Sequence, residues 1–197
     1  MAQRFAYNGR MKKLFVTILT FILPLASWSM NTELSYNYSF KKTTFDSDNY
    51  TEGQSSTGSM SLYFWERIAL ELSYTNGLYV KYEKSTSNPL VRTTTQTSNV
   101  YGADLILVLA DKKAAIQPYI KGGTAYITKK QTIQDQGYPA ETIESPAGMA
   151  PSYGVGLKIF ITEAFAIRMG YDAVITPIDK DNKVTDVSSR VGVSWFL

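Results

Sequence analysis

The chain contains no cysteine and no histidine. Without cysteine there is no disulfide framework, no thiolate metal site and no cysteine-borne lipid anchor. Without histidine there are no histidine-dependent triads and no His-ligated zinc, and the commonest general base is missing. Charge is sparse, at 19% of residues, and the 7 prolines and 13 glycines show no collagen-like period. Past residue 30 no apolar run reaches the roughly 20 residues that a spanning helix needs. No basic block is present that would bind nucleic acid. At 197 residues the chain has room for one domain, or two at most. Aromatics reach 13%, with 14 tyrosines against 9 phenylalanines and 3 tryptophans, an excess that asks for a cause.

The start of the chain reads as an export signal. Met11, Lys12 and Lys13 open a basic patch, an apolar run follows from Leu14 to Ala26, and the small residues Ser27 and Ser29 bracket Trp28. Basic patch, short apolar core and small-x-small site are the parts of a secretory leader. Residues 11–29 are expected to be the signal peptide, cut near Ser29, with residues 1–10 an over-long gene start and 30–197 the mature protein. A true extension ahead of an internal membrane anchor is the alternative. Residues 1–29 carry four basic and no acidic side chains, so the remainder has 16 basic against 17 acidic residues, a net of −1.

The mature chain alternates. Leu34, Tyr36, Tyr38 and Phe40 interleave with Glu33, Ser35, Asn37 and Ser39, and the same period of two recurs in segments near 59–64, 68–82, 101–109, 119–126, 153–161, 165–172 and 187–197. Period two means strands with two unlike faces. Eight strands result, each close to the 9–11 residues of a membrane-spanning strand. Short links (65–67, 110–113, 162–164) alternate with long polar ones (42–56, 83–98, 129–150, 176–186). Outer-membrane barrels have this rhythm, with short periplasmic turns and long outside loops. The predicted fold is all-β: an antiparallel up-and-down transmembrane β-barrel of eight strands.

A soluble periplasmic lipocalin-like carrier would alternate too, with its apolar face inward. Three features favour the opposite orientation. The polar face is mostly Gly, Ala, Ser and Thr, which suit a narrow lumen. Its charges balance, with Glu33, Glu71, Asp104 and Asp172 against Lys121, Lys158, Arg168 and Arg190, as buried charges must. Aromatics lie on the apolar face near strand ends (Tyr36, Tyr38, Phe40, Phe64, Tyr74, Tyr82, Tyr126, Tyr153, Phe165, Tyr171 and Trp195), where aromatic girdles meet the lipid headgroups.

The last residues, Arg190-Val-Gly-Val-Ser-Trp-Phe-Leu197, resemble the terminal signature read by the outer-membrane assembly machinery. Arg190, Gly192, Trp195 and Leu197 fill its four specified positions, with a terminal Leu in place of the commoner Phe. Gln117-Pro-Tyr-Ile-Lys-Gly-Gly-Thr-Ala-Tyr126 is similar to a Pro-Tyr…Gly strand of the same class. The mature chain as a whole resembles the small eight-stranded barrels of the OmpA/OmpX type. The resemblance implies outer-membrane lipid and the assembly machinery as partners. The enzymatic barrels of this architecture (lipid A deacylases and palmitoyltransferases, phospholipases, omptin proteases) use a histidine, so no enzyme and no catalytic residue is expected here.

No cofactor or metal is expected either. Asp179-Lys-Asp181-Asn182 has part of a calcium-loop pattern, but lacks its sixth-position glycine and closing glutamate and reads as a loop tip. The eight lumen charges admit two readings, a paired plug or a narrow channel for ions or small solutes. The longest outside loop, 129–150, is a candidate contact for a surface ligand. The expected function is therefore a structural or surface-interacting outer-membrane barrel, with the channel and the soluble carrier as alternatives.

Overall fold

The computed structural model describes residues 31–45, 49–84, 91–177 and 183–197. The expected leader and the Asp179–Asn182 tip lie outside them. Eight strands follow in order: β1 (Asn31–Thr44), β2 (Tyr50–Trp65), β3 (Ile68–Lys84), β4 (Val91–Val108), β5 (Ile116–Asp135), β6 (Glu141–Phe160), β7 (Phe165–Pro177) and β8 (Lys183–Phe196). Each pairs antiparallel with its neighbour in sequence, and β8 returns to β1 to close the barrel. Closure removes the unpaired edges that an open sheet would expose.

The two faces are those the alternation predicts. Leu34, Leu70, Leu72, Leu105, Leu107, Ile120, Val155, Met169 and Val193 all point outward and are exposed. Ala69, Glu71, Asp104, Lys158 and Arg168, from the other parity, are buried inside. A large apolar belt on the outside with charges sealed inside is the reverse of a soluble carrier, and such a belt calls for a non-aqueous neighbour.

The belt has an outer rim of tyrosines. The Tyr36 hydroxyl donates to Ser56 Oγ, Tyr38 to Gln54 Oε1 and Tyr74 to Asn99 Oδ1, at 3.1, 3.1 and 2.9 Å. Each ring therefore lies on apolar surface while its hydroxyl reaches polar side chains, as at a lipid–water boundary. Tyr101, Tyr126, Tyr153 and Tyr171 continue the exposed aromatic set. Tyr82 departs from the expectation: it lies past Asn76 on the same face and stacks on Tyr50 at 5.3 Å, beyond the rim.

The links predicted near 65–67 and 162–164 are short, the one predicted at 110–113 runs over 109–115, and those at the other end are much shorter than predicted. Region 129–150 is not a long loop. β5 continues to Asp135, β6 starts at Glu141, and the two pair from Lys129↔Ser145 to Ile133↔Glu141 after an irregularity near Ile127. The turn forms at Gly137, whose φ of 85° few other residues adopt, with the Tyr138 N–H donating to the Asp135 carbonyl at 3.0 Å. Likewise β2 begins at Tyr50, β4 at Val91 and β8 at Lys183. The barrel wall thus rises past the tyrosine rim as paired, polar strand.

Candidate functional site

The lumen is filled in three layers. At the short-link end, Tyr63, Ala69, Ile106, Val108 and Tyr119 are buried together, with Phe196 packed on them. Tyr63 and Phe196 rings lie 6.1 Å apart, and Phe160 and Phe196 rings 5.1 Å. Gln117 secures the link beneath, donating from Nε2 to the carbonyls of Asp111, Lys112 and Ala114. Arg67 pairs with Asp111, tying two short links together.

Above this floor lie all eight charges named from sequence, joined into one chain of alternating sign. Lys158 pairs with Glu33. Arg168 Nη1 lies 3.8 Å from Glu33 Oε1 and 2.6 Å from Glu71 Oε2. Lys121 Nζ sits among three carboxylates, at 3.1 Å from Glu71, 3.6 Å from Asp104 and 3.2 Å from Asp172. Arg190 Nη1 closes the series 3.1 Å from Asp172. Seven of the eight strands contribute, with β2 supplying neutral donors instead: Ser59 Oγ donates to Glu71 at 3.2 Å and Tyr63 donates to Glu33 at 2.7 Å.

Floor and network interlock. Lys158 Nζ lies 5.2 to 5.5 Å from the ring centres of Tyr63, Tyr119 and Phe196, and donates to the Tyr63 hydroxyl. Arg168 stacks on Tyr119 at 4.9 Å, while its Nε donates to that hydroxyl at 3.0 Å. Cations over aromatic faces gain from the ring quadrupole, more so when desolvated. Gly156 makes this possible, because a Cβ there would run into the Tyr119 ring.

The third layer is apolar. Ala125, Ile127 and Ala150 pack with Val100 and Val174. Beyond it Lys129 and Asp186 pair at 2.7 Å. Sequence reasoning missed both, having placed them in loops. It also missed the aromatic floor, because Tyr63, Tyr119 and Phe196 are large apolar groups on the polar parity.

Beside Glu71, Lys121 and Arg168 lies a cavity of about 10 Å³, room for a single water. Among the described residues no His, Cys, Asp and Glu group is arranged to hold a metal ion. The four assembly-signature residues divide between the faces. Trp195 and Leu197 point outward, whereas Arg190 joins the network. Gly192 pairs with Asn37 across the closing seam, where a Cβ would come within 2.6 Å of Asn37 Cα. That close backbone approach by itself requires glycine at this position.

Among solved structures, the chain is similar to the N-terminal β-barrel domain of Pseudomonas aeruginosa OprF (17% identity, TM-score 0.56, covering 85% of this chain and 97% of that one). It is also similar to Neisserial surface protein A (14%, 0.55, 84% and 96%) and to the outer membrane protein OprG of Pseudomonas aeruginosa (10%, 0.55, 85% and 96%). At these identities the likeness is one of fold. No curated protein sequence matches the chain. Residues 15–195 match the family model described as outer membrane protein beta-barrel domain, and the chain belongs to that family.

Proposed function

We propose that this outer-membrane barrel is not an enzyme and not a pore, and that it acts through the walls and turns raised above the tyrosine rim. The observation that carries the reading is the continuous chain of paired charges from Lys158 to Arg190, seated on an aromatic floor. A solute would have to displace paired charges from a low-dielectric interior, which costs far more than thermal energy. The outer walls carry exposed Tyr138, Ile143 and Met149 on the β5–β6 hairpin, the contact surface we assign in place of a loop. Arg190, Gly192, Trp195 and Leu197 serve the assembly machinery, and the leader is removed near Ser29.

Planar-bilayer recording of the refolded protein tests the closed lumen. No steady conductance is expected. Steady steps whose size changes in Lys121→Ala or Arg168→Ala would overturn the reading in favour of a channel.

A further inference from the structure

The seam that closes the barrel is short. The β1–β8 ladder runs from Glu33↔Phe196 to Tyr38↔Val191, with the Leu197 N–H donating to the Thr32 carbonyl at 2.8 Å below it. The β3–β4 ladder runs from Ile68↔Leu107 to Lys84↔Val91, and β6–β7 from Ser152↔Val174 to Phe160↔Ala166. The seam is shorter than either, yet it joins opposite ends of the chain, whereas every other ladder joins strands consecutive in sequence. Its loop-closure cost is therefore the largest of the set. Backbone bonds are also blind to register. A slip of one residue would turn Glu33 to the lipid side, but a slip of two keeps both faces and changes only which levels meet.

The inward side chains of β1 supply what this ladder lacks. Glu33, Ser35 and Asn37 are all buried. Glu33 meets Lys158 on β6 and accepts from Tyr63 on β2 at 2.7 Å. Arg168 on β7 donates from Nη1 to Ser35 Oγ at 3.2 Å. Ser35 also shares a hydrogen bond with Ser59 Oγ at 2.6 Å and accepts from Asn37 Nδ2 at 3.3 Å. In the barrel β1 has only β2 and β8 as neighbours, so the contacts to Lys158 and Arg168 cross the lumen. With β1 absent or slipped by two, four cations would face three carboxylates in a dry interior, and a buried charge that loses its partner is costly.

We propose that Glu33 and Ser35 form the closing clasp of the barrel. Their capture by Lys158 and Arg168 across the lumen commits β1 to β8 and selects the seam register, a task the short ladder does not perform alone. The ion network is thus a device for completing the wall, whatever the outer walls bind.

Refolding from urea into lipid vesicles tests this, with a short thiol–thiol cross-linker added at intervals. The chain has no cysteine, so introduced pairs are the only reacting sites. Tyr36→Cys with Val193→Cys spans the seam, and Leu72→Cys with Ala103→Cys spans β3–β4, both pairs on the outward face. The seam cross-link is expected to form after the β3–β4 one. Glu33→Gln is expected to lengthen that interval about ten-fold, or to abolish the seam cross-link, with the β3–β4 time unchanged. Asp104→Asn removes a network carboxylate whose partners Lys121 and Ser152 lie on β5 and β6, and it should leave the interval as in the parent. Because the β3–β4 cross-link is read in the same Glu33→Gln background, a seam that never closes still gives an answer. An unchanged interval in Glu33→Gln, an equal delay or loss of both cross-links, or an Asp104→Asn interval lengthened as much, overturns the proposal.

Discussion

Lys158 is an ammonium with no exposed side-chain surface, paired with a glutamate equally sealed from water. Such a pair persists because every alternative is worse: desolvating one unpaired charge costs several kcal/mol even after the surroundings relax. Removing Lys158 would leave Glu33 with Arg168 at 3.8 Å and the Tyr63 hydroxyl as its remaining partners. Lys158→Met is therefore expected to destabilise the folded barrel by about 3–5 kcal/mol. The double variant Glu33→Gln, Lys158→Met should lose less than the single one, because no orphaned carboxylate remains. Urea unfolding in lipid vesicles, followed by tryptophan fluorescence, checks both. If the double loses more than Lys158→Met alone, the pair is not what holds the floor. The sequence showed Lys158 to be an inward residue, by parity. Its partners were not legible, because they come from β1, β2, β5 and β8, and only the relative register of strands brings them to one level.

Within one strand, β4 shows what alternation can and cannot encode. From Tyr101 to Leu107 its outward residues are Tyr, Ala, Leu and Leu, and the contrast with Gly102 and Asp104 marks both strand and faces. From Val91 to Asn99 the strand continues as Val-Arg-Thr-Thr-Thr-Gln-Thr-Ser-Asn, polar on both faces. Water bathes both sides there, so no hydrophobic contrast separates strand from loop. The same holds for Lys129–Asp135, and this is why the walls read as loops. The boundary predicts a sharp difference along β4. Leu105→Arg places a charge inside the belt and should cost about 2–4 kcal/mol of folding free energy, whereas Thr95→Arg, past the rim, should cost almost nothing. Equal costs in vesicle unfolding would mean the belt is not in lipid. At the top of the strand Arg92 donates to Asp135 at 2.7 and 2.9 Å, and this hydrogen bond holds the Asp135 carboxyl below its usual range. A depressed carboxylate stabilises its pairing above the ordinary aspartate pKa and loses it as pH falls through the lowered value. The Arg92 Nε–H NMR signal should stay sharp at neutral pH and broaden only under strongly acidic conditions, with the spanning strands unaffected. Broadening already at mildly acidic pH would show that the pair does not form.

Taken whole, the molecule is two structures in series on one set of strands. The half from the short links to the tyrosine rim has closed ladders, a filled lumen and an apolar exterior, and each property requires the others: lipid outside forbids unpaired backbone, and a narrow closed barrel forces its interior to pack. The outer half is released from the first constraint. Its ladders part at Ser152 and Val191, its exterior turns to threonine and glutamine, and its ion pairs are exposed. Stability should accordingly reside in the spanning half, and the outer β5–β6 wall should be removable. Deleting residues 131–143 and joining Lys130 to Glu144, which already face each other, through a two-residue Asn-Gly turn gives the chain a favoured hairpin connection. Shortening a surface connection changes chain entropy only slightly, and the deletion leaves every member of the ion network and the Lys129–Asp186 pair in place. The trimmed protein should still assemble, still shift in gel mobility on boiling, and unfold within about 1 kcal/mol of the parent. A trimmed chain that fails to form the unboiled folded band would mean that the outer wall helps to close the barrel, and that the rim is not the boundary of its stable core.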